Sequence, residues 1–152
     1  MERSERTEMQ IGRRTAMTHK AVRALAERQL AATGSNLSTV IIARIVAEEP
    51  GLSQRQIAER MHVQAPTIVR HLDRMESEGL ITRTRDEADR RVQQVRLTPK
   101  GRRVRTRLEA VTDATSASLT EIFTTAELDA FEEYLDRLAA RAHDLLAEEA
   151  SA

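Results

Sequence analysis

The stretch VQAPTIVRHLDR, residues 63–74, sets an amide, a hydroxyl and two guanidinium groups within eleven residues. A helix starting there would present Gln64, Ala65, Pro66, Thr67 and Arg70 from its N-terminal turns. That is chemistry suited to the major groove of a duplex. A glutamine amide pairs with the adenine edge and a guanidinium with guanine, while the methyl groups of Ala65 and Thr67 suit the thymine methyl. Thr67 has a competing use, since a helical threonine can satisfy its own helix carbonyl. Arg74, Arg83 and Arg85 lie further along and are expected to meet phosphates, fixing register without reading sequence. Ser53 and Gln54, at the start of an earlier helix, offer donors to another phosphate. The segment DEADRRVQQVRLTPKG, residues 86–101, adds Arg90 and Arg91 on a charged loop that would reach the neighbouring minor groove.

The charge distribution agrees with a polyanionic partner. The formal net charge is zero, yet residues 51–107 carry 14 Lys+Arg against 7 Asp+Glu, and residues 108–152 carry 2 against 11. A basic middle and an acidic end suggest that the middle meets the polyanion. The plainer alternative is that Arg-rich and Glu-rich helices solvate their own faces. Other chemistries find little support. The absence of cysteine excludes disulfides, thiolate metal sites and thiol-based redox sensing. The four histidines, His19, His62, His71 and His143, lack metal-ligand spacing, so no metal site and no cofactor is expected. There is no glycine-rich phosphate loop and no nucleophile motif, which argues against an enzyme. No apolar run approaches a membrane span, and the charged start MERSERTEMQIGRR does not read as a secretory signal, so a cytoplasmic location is expected.

The elements that must position these residues are mostly helical. At 152 residues the chain is long enough for one core and is expected to form one domain. Residues 13–32 are rich in helix formers. A second helix over about 37–49 is capped by Ser35 or Asn36 and is apolar nearly all round, which argues for a central position. Ser53 and Gln56 form a capping box for a short helix to about Arg60. The turn at Met61–Val63 leads to a helix over about 64–78, closed by Gly79, and the shared apolar set makes a helix-turn-helix. Pro66 fits because it lies in the first turn. Residues 80–85 and 92–97 read as two strands, and Thr98-Pro99 starts a helix to about Ile122. Thr124 and Glu127 make a second capping box, followed by a helix to about Glu148 with the stripe Leu128, Phe131, Leu135, Leu138, Ala142 and Leu145. Such seven-residue periods make narrow seams that suit packing across a dimer interface.

The segment Gly51–Gly101 strongly resembles MarR-type transcriptional regulators. The resemblance rests on L-S-Q-R-Q-I-A, on the T-x-x-R of Thr67–Arg70 and on the E-x-x-G-L-I of Glu76–Ile81. The most telling motif is D-R-R-x-x-x-x-x-L-T at 89–98, the family's wing signature. With the flanking helices the resemblance covers about residues 13–148. Two positions depart from the family pattern: His62 stands where glycine is frequent, and Gln64 replaces the usual serine cap.

The resemblance implies a mainly α fold with a small antiparallel β-hairpin wing, a winged helix-turn-helix carried by N- and C-terminal dimerisation helices. It divides the chain into a charged, flexible extension at 1–12, a domain over 13–148 and a flexible tail at 149–152. Within the domain, 51–99 form the winged helix-turn-helix, and 13–49 with 100–148 form the scaffold. It implies a homodimer that binds a pseudo-palindromic double-stranded operator as a repressor. In this family Asp89 would brace the wing by pairing with an arginine. The resemblance also implies a small anionic or phenolic effector in a cleft that His19, Arg23, Arg44, Thr112 and Thr115 would line here. Two rival readings are a winged helix that binds another protein instead of DNA, and a metal-responsive winged-helix repressor.

Overall fold

In order along the chain, the computed structural model has α1 (Glu2–Ala31), α2 (Leu37–Glu48), α3 (Gln54–Arg60), α4 (Ala65–Ser77), β1 (Ile81–Arg85), β2 (Gln93–Leu97), α5 (Pro99–Thr120) and α6 (Thr125–Ala150). It describes residues 2–85 and 93–150. The chain divides into two units, Met1–Thr115 and Ser116–Ala152.

In the first unit α2 is the hub, touching α1, α3, α4 and β2. Its sequence predicts this role, because an all-round apolar helix must bury more than one face. Ile42, Ala43 and Val46 from α2 join Leu52, Ile57 and Ala58, then Ile68, Leu72 and Met75 of α4, and finally Leu80, Ile81 and Val95. A smaller cluster joins Leu30 of α1, Val40 of α2 and Leu108 of α5, and Val104 packs against both clusters. Asn36 caps α2, its side chain accepting from the Thr39 amide at 3.0 Å.

β1 and β2 pair antiparallel, from Ile81 opposite Leu97 to Arg85 opposite Gln93. The segment before α3 adds a short third edge. The Gly51 amide donates to the Val95 carbonyl at 3.1 Å, the Val95 amide donates to the Leu52 carbonyl at 2.9 Å, and Ser53 bridges to Gln94. The root of the hairpin is thereby tied to the start of α3. A single bridged residue leaves no periodicity, so the sequence does not announce this edge.

Two boundaries differ from expectation. α1 starts at Glu2 and takes in most of the stretch expected to lie outside the helix. That stretch has no proline and a single glycine, Gly12, so nothing in it stops a helix from propagating. α5 ends at Thr120 rather than near Ile122, and the Phe123 amide turns back to the Thr120 carbonyl at 3.0 Å. Ile122 is 77% exposed in that turn.

In the second unit α6 begins as predicted. The Thr124 amide donates to Glu127 Oε2 at 2.9 Å, and the Glu127 amide donates to Thr124 Oγ1 at 3.3 Å. Phe123 and Phe131 stack with ring centroids 6.0 Å apart. No residue of α6 is buried, and Phe131, Leu135, Leu138 and Leu145 of the predicted stripe are all more than 40% exposed. Among the described residues no helix is long and apolar enough to cross a membrane.

Candidate nucleic-acid interface

The turn between α3 and α4 sets the aim of α4, and it closes in a specific way. The His62 amide donates to the Glu59 carbonyl and the Val63 amide to the Ala58 carbonyl, both at 3.1 Å. That bond pair is a Schellman closure, whose central residue must take a left-handed conformation. His62 does so, at φ 51°. A side chain there costs about 1–2 kcal/mol relative to ordinary helical backbone, which is why glycine is the usual occupant. The departure noted at His62 is therefore a strained residue within an otherwise ordinary turn.

α4 then starts from Gln64, whose backbone is extended and whose side chain makes no capping bond. Pro66 brings no amide to the first turn, and the Thr67 amide donates to the Gln64 carbonyl at 3.0 Å. Gln64, Ala65, Pro66, Thr67 and Arg70 are all exposed, while Ile68, Leu72 and Met75 hold the opposite face in the core. Among the described residues neither the Thr67 hydroxyl nor the Arg70 guanidinium makes a hydrogen bond or ion pair. Thr67 does not spend its hydroxyl on its own helix, and this face of α4 presents bare polar groups.

The remaining predicted cations divide sharply. Arg85, at the end of β1, is exposed. Arg74 is exposed and pairs with Glu78 one turn on, at 2.7 Å. An exposed pair of that kind is worth little and leaves the cation available. Arg83 is different. Its side chain is only 13% exposed, and its Nη1 donates to Asp73 Oδ1 at 2.6 Å and to Glu76 Oε2 at 3.0 Å. The structure thus turns Arg83 inward onto α4 instead of outward toward a phosphate.

Ser53 and Gln54 are also partly committed. The Ser53 hydroxyl and amide both donate to Gln56 Oε1, at 2.8 and 2.9 Å, in the predicted capping box. Gln54 is half-buried and its Nε2 donates to Gln93 Oε1 at 3.4 Å. Asp89, Arg90 and Arg91 lie outside the described residues.

The residues assigned to an effector cleft are only partly brought together. Arg44 on α2 faces Glu109 on α5 at 3.6 Å, and Arg105 reaches the same carboxylate at 3.4 Å. Thr112 and Thr115 follow on α5, but their hydroxyls donate to the Glu109 and Val111 carbonyls of their own helix. His19 is exposed on α1, and Arg23 pairs with Glu27 at 3.4 Å on the same helix. Glu27 and Glu109 were missed by the sequence reading. Glu27 matters for the scaffold, because its Oε2 accepts from the Leu37 amide and ties α1 to the first turn of α2. Among the described residues no group of three or more His, Cys, Asp or Glu could hold a metal ion.

Residues 37–92 match the family model described as MarR family. Among solved structures, a MarR-family transcriptional regulator from Rhodococcus sp. RHA1 is 26% identical, with a TM-score of 0.78, covering 87% of this chain and 94% of that one. The transcriptional repressor CouR bound to a 23-mer DNA duplex is also 26% identical, with a TM-score of 0.79, covering 84% and 91%. CouR from Rhodococcus jostii RHA1 bound to p-coumaroyl-CoA is 27% identical, with a TM-score of 0.74, covering 85% and 91%. The described architecture, six helices with one antiparallel hairpin, is the winged-helix fold of these regulators.

Proposed function

We propose, on the premise that residues 37–92 carry a MarR-family domain in a chain with the fold of MarR-family regulators, that this protein is a homodimeric repressor. In this reading it binds a pseudo-palindromic site on double-stranded DNA and is released by a small anionic or phenolic effector. The observation that carries the reading is the N-terminal half of α4, where Thr67 and Arg70 are exposed and make no hydrogen bond or ion pair among the described residues. A polar side chain with a local partner would have to give it up to read a base. These do not.

In this reading Gln64, Ala65, Pro66, Thr67 and Arg70 face base edges. Arg74 and Arg85 hold phosphates, and Arg90 and Arg91 extend to the minor groove with Asp89 bracing them. Ser53 and Gln54 contribute through the backbone at the start of α3 more than through their engaged side chains. The exposed stripe on α6 fits a second copy of the chain, and two-fold symmetry then sets half-sites about one helical turn, roughly 10 bp, apart. The DNA-bound and CoA-ester-bound forms of CouR support both halves of the cycle. Arg44, with His19, Arg23, Thr112 and Thr115, is the proposed effector region. A protein acting on chromosomal DNA would work in the cytoplasm, and the solved structures this chain is similar to include a transcriptional regulator and a transcriptional repressor.

The test is selection of bound fragments from sheared genomic DNA, followed by titration at several salt concentrations. Affinity should fall steeply as salt rises, because several phosphates are neutralised on binding. A pure, folded protein that prefers no fragment at low ionic strength overturns the reading.

A further inference from the structure

We infer that Arg83 is a positioning residue that locks the hairpin root onto the rear of α4, so that helix and hairpin meet DNA as one rigid reader; this rests on the DNA-binding reading above. Strand alternation puts Arg83 on the same inward face as buried Ile81, with exposed Thr82 and Thr84 on the other face. The attachment has two points. The Arg83 amide donates to Glu76 Oε1 at 3.2 Å, while its Nη1 reaches Glu76 Oε2 at 3.0 Å and Asp73 Oδ1 at 2.6 Å. One carboxylate of α4 therefore holds both the backbone and the side chain of the same strand residue, and a second holds the guanidinium from the preceding turn. Such an arrangement resists both sliding and rotation of β1 against α4.

Stability is a poor explanation for this pair. Arg83 Nε and Nη2 are buried without a hydrogen-bond partner among the described residues. A desolvated, incompletely bonded cation contributes little net stability compared with an apolar side chain of similar size. Its two partners, by contrast, are 57% and 41% exposed, so they hydrate readily if the arginine is removed. The geometric consequence outweighs the energetic one. Hairpin contacts with DNA then come without an orientational cost, because the helix that docks first carries the hairpin already aimed.

The test compares affinities for one selected fragment. Arg83→Lys keeps the charge, but its shorter side chain does not carry one donor to both carboxylates at once. Arg85→Ala removes a hairpin contact. In the natural background Arg85→Ala is expected to weaken binding about fivefold, and in the Arg83→Lys background less than ~2-fold, because a loosened hairpin contributes little. Arg83→Lys alone should weaken binding about tenfold with an unchanged circular dichroism spectrum. An equal Arg85→Ala effect in both backgrounds, or wild-type affinity for Arg83→Lys, overturns the inference. If Arg83→Lys fails to fold, the double variant Asp73→Asn, Glu76→Gln carries the same comparison from the helix side, with the same two outcomes. A wild-type protein that binds no fragment overturns the DNA-binding reading instead, and is seen before any variant is compared.

Discussion

Gly101, in the first turn of α5, stands against the backbone carbonyl of Leu80, so close that a Cβ would overlap the oxygen. The same carbonyl accepts from the Thr98 amide at 3.0 Å, and Thr98 Oγ1 caps α5 by accepting from the Gly101 amide at 2.9 Å. Lys100 adds a bond from its Nζ to the Glu78 carbonyl at 2.7 Å. The end of α4, the start of β1 and the start of α5 thus meet at one residue without a side chain. Gly101→Ala should cost about 1–3 kcal/mol or more, as overpacking against a fixed backbone does. Urea unfolding of the variant checks this; an unchanged midpoint means that the junction gives way easily.

His62 offers the opposite outcome. Because it pays for a left-handed backbone that glycine adopts freely, His62→Gly should stabilise the protein by about 1 kcal/mol, reduced by whatever its side chain contributes. The measurement is thermal unfolding alongside DNA affinity. Stability should rise and affinity stay level.

Arg70→Ala should weaken binding by about 1–3 kcal/mol and relax preference at one base pair, whereas Arg74→Ala should weaken all sites alike and flatten the salt dependence. Titration against a site and its single-base variants separates them. Identical behaviour of the two variants would remove Arg70 from base reading.

Leu135 and Leu138 are exposed on α6 in the single chain, at 42% and 43%. Replacing both with glutamate should leave the fold of one chain intact and shift sedimentation toward monomer, with loss of operator binding. A dimer that survives both charges would place the interface elsewhere.

Glu127 adds a pH dependence of known sign. The Thr124 amide and hydroxyl hold its carboxyl below the usual carboxylate range. A lowered folded value stabilises α6 above the ordinary carboxylate pKa, and the stabilisation is lost as pH falls through the lowered value. Glu127→Gln should therefore melt earlier than the natural protein at about pH 7, and the difference should close as pH falls through the lowered value. A difference that persists unchanged in acid would show that the charge of Glu127 is irrelevant to the cap.

Much of this architecture is legible because its signals are local. Ser53 with Gln56, Thr98 with Pro99, and Thr124 with Glu127 each mark a helix start within four residues, and each forms as written. The exposed reader face of α4 follows from the same logic, since Ile68, Leu72 and Met75 at helical spacing fix the inward side. Arg83 is illegible for the same reason. Between two threonines on a five-residue strand it resembles any solvent-facing cation, and its partners, seven and ten residues upstream, become neighbours only when β1 folds back along α4. The reach of α1 back to Glu2 was hidden too, because a charge-mixed helix without an apolar stripe looks like an extension.

The front of α4 is cationic and polar, while its rear carries Asp73, Glu76 and Glu78. Arg83 answers the first two and Arg74 the third, while Lys100 reaches the Glu78 carbonyl, so each of these acids has a cation beside it. The acids beside the reading face are thus already matched with cations, and the attachment of the hairpin adds no uncompensated negative charge next to it.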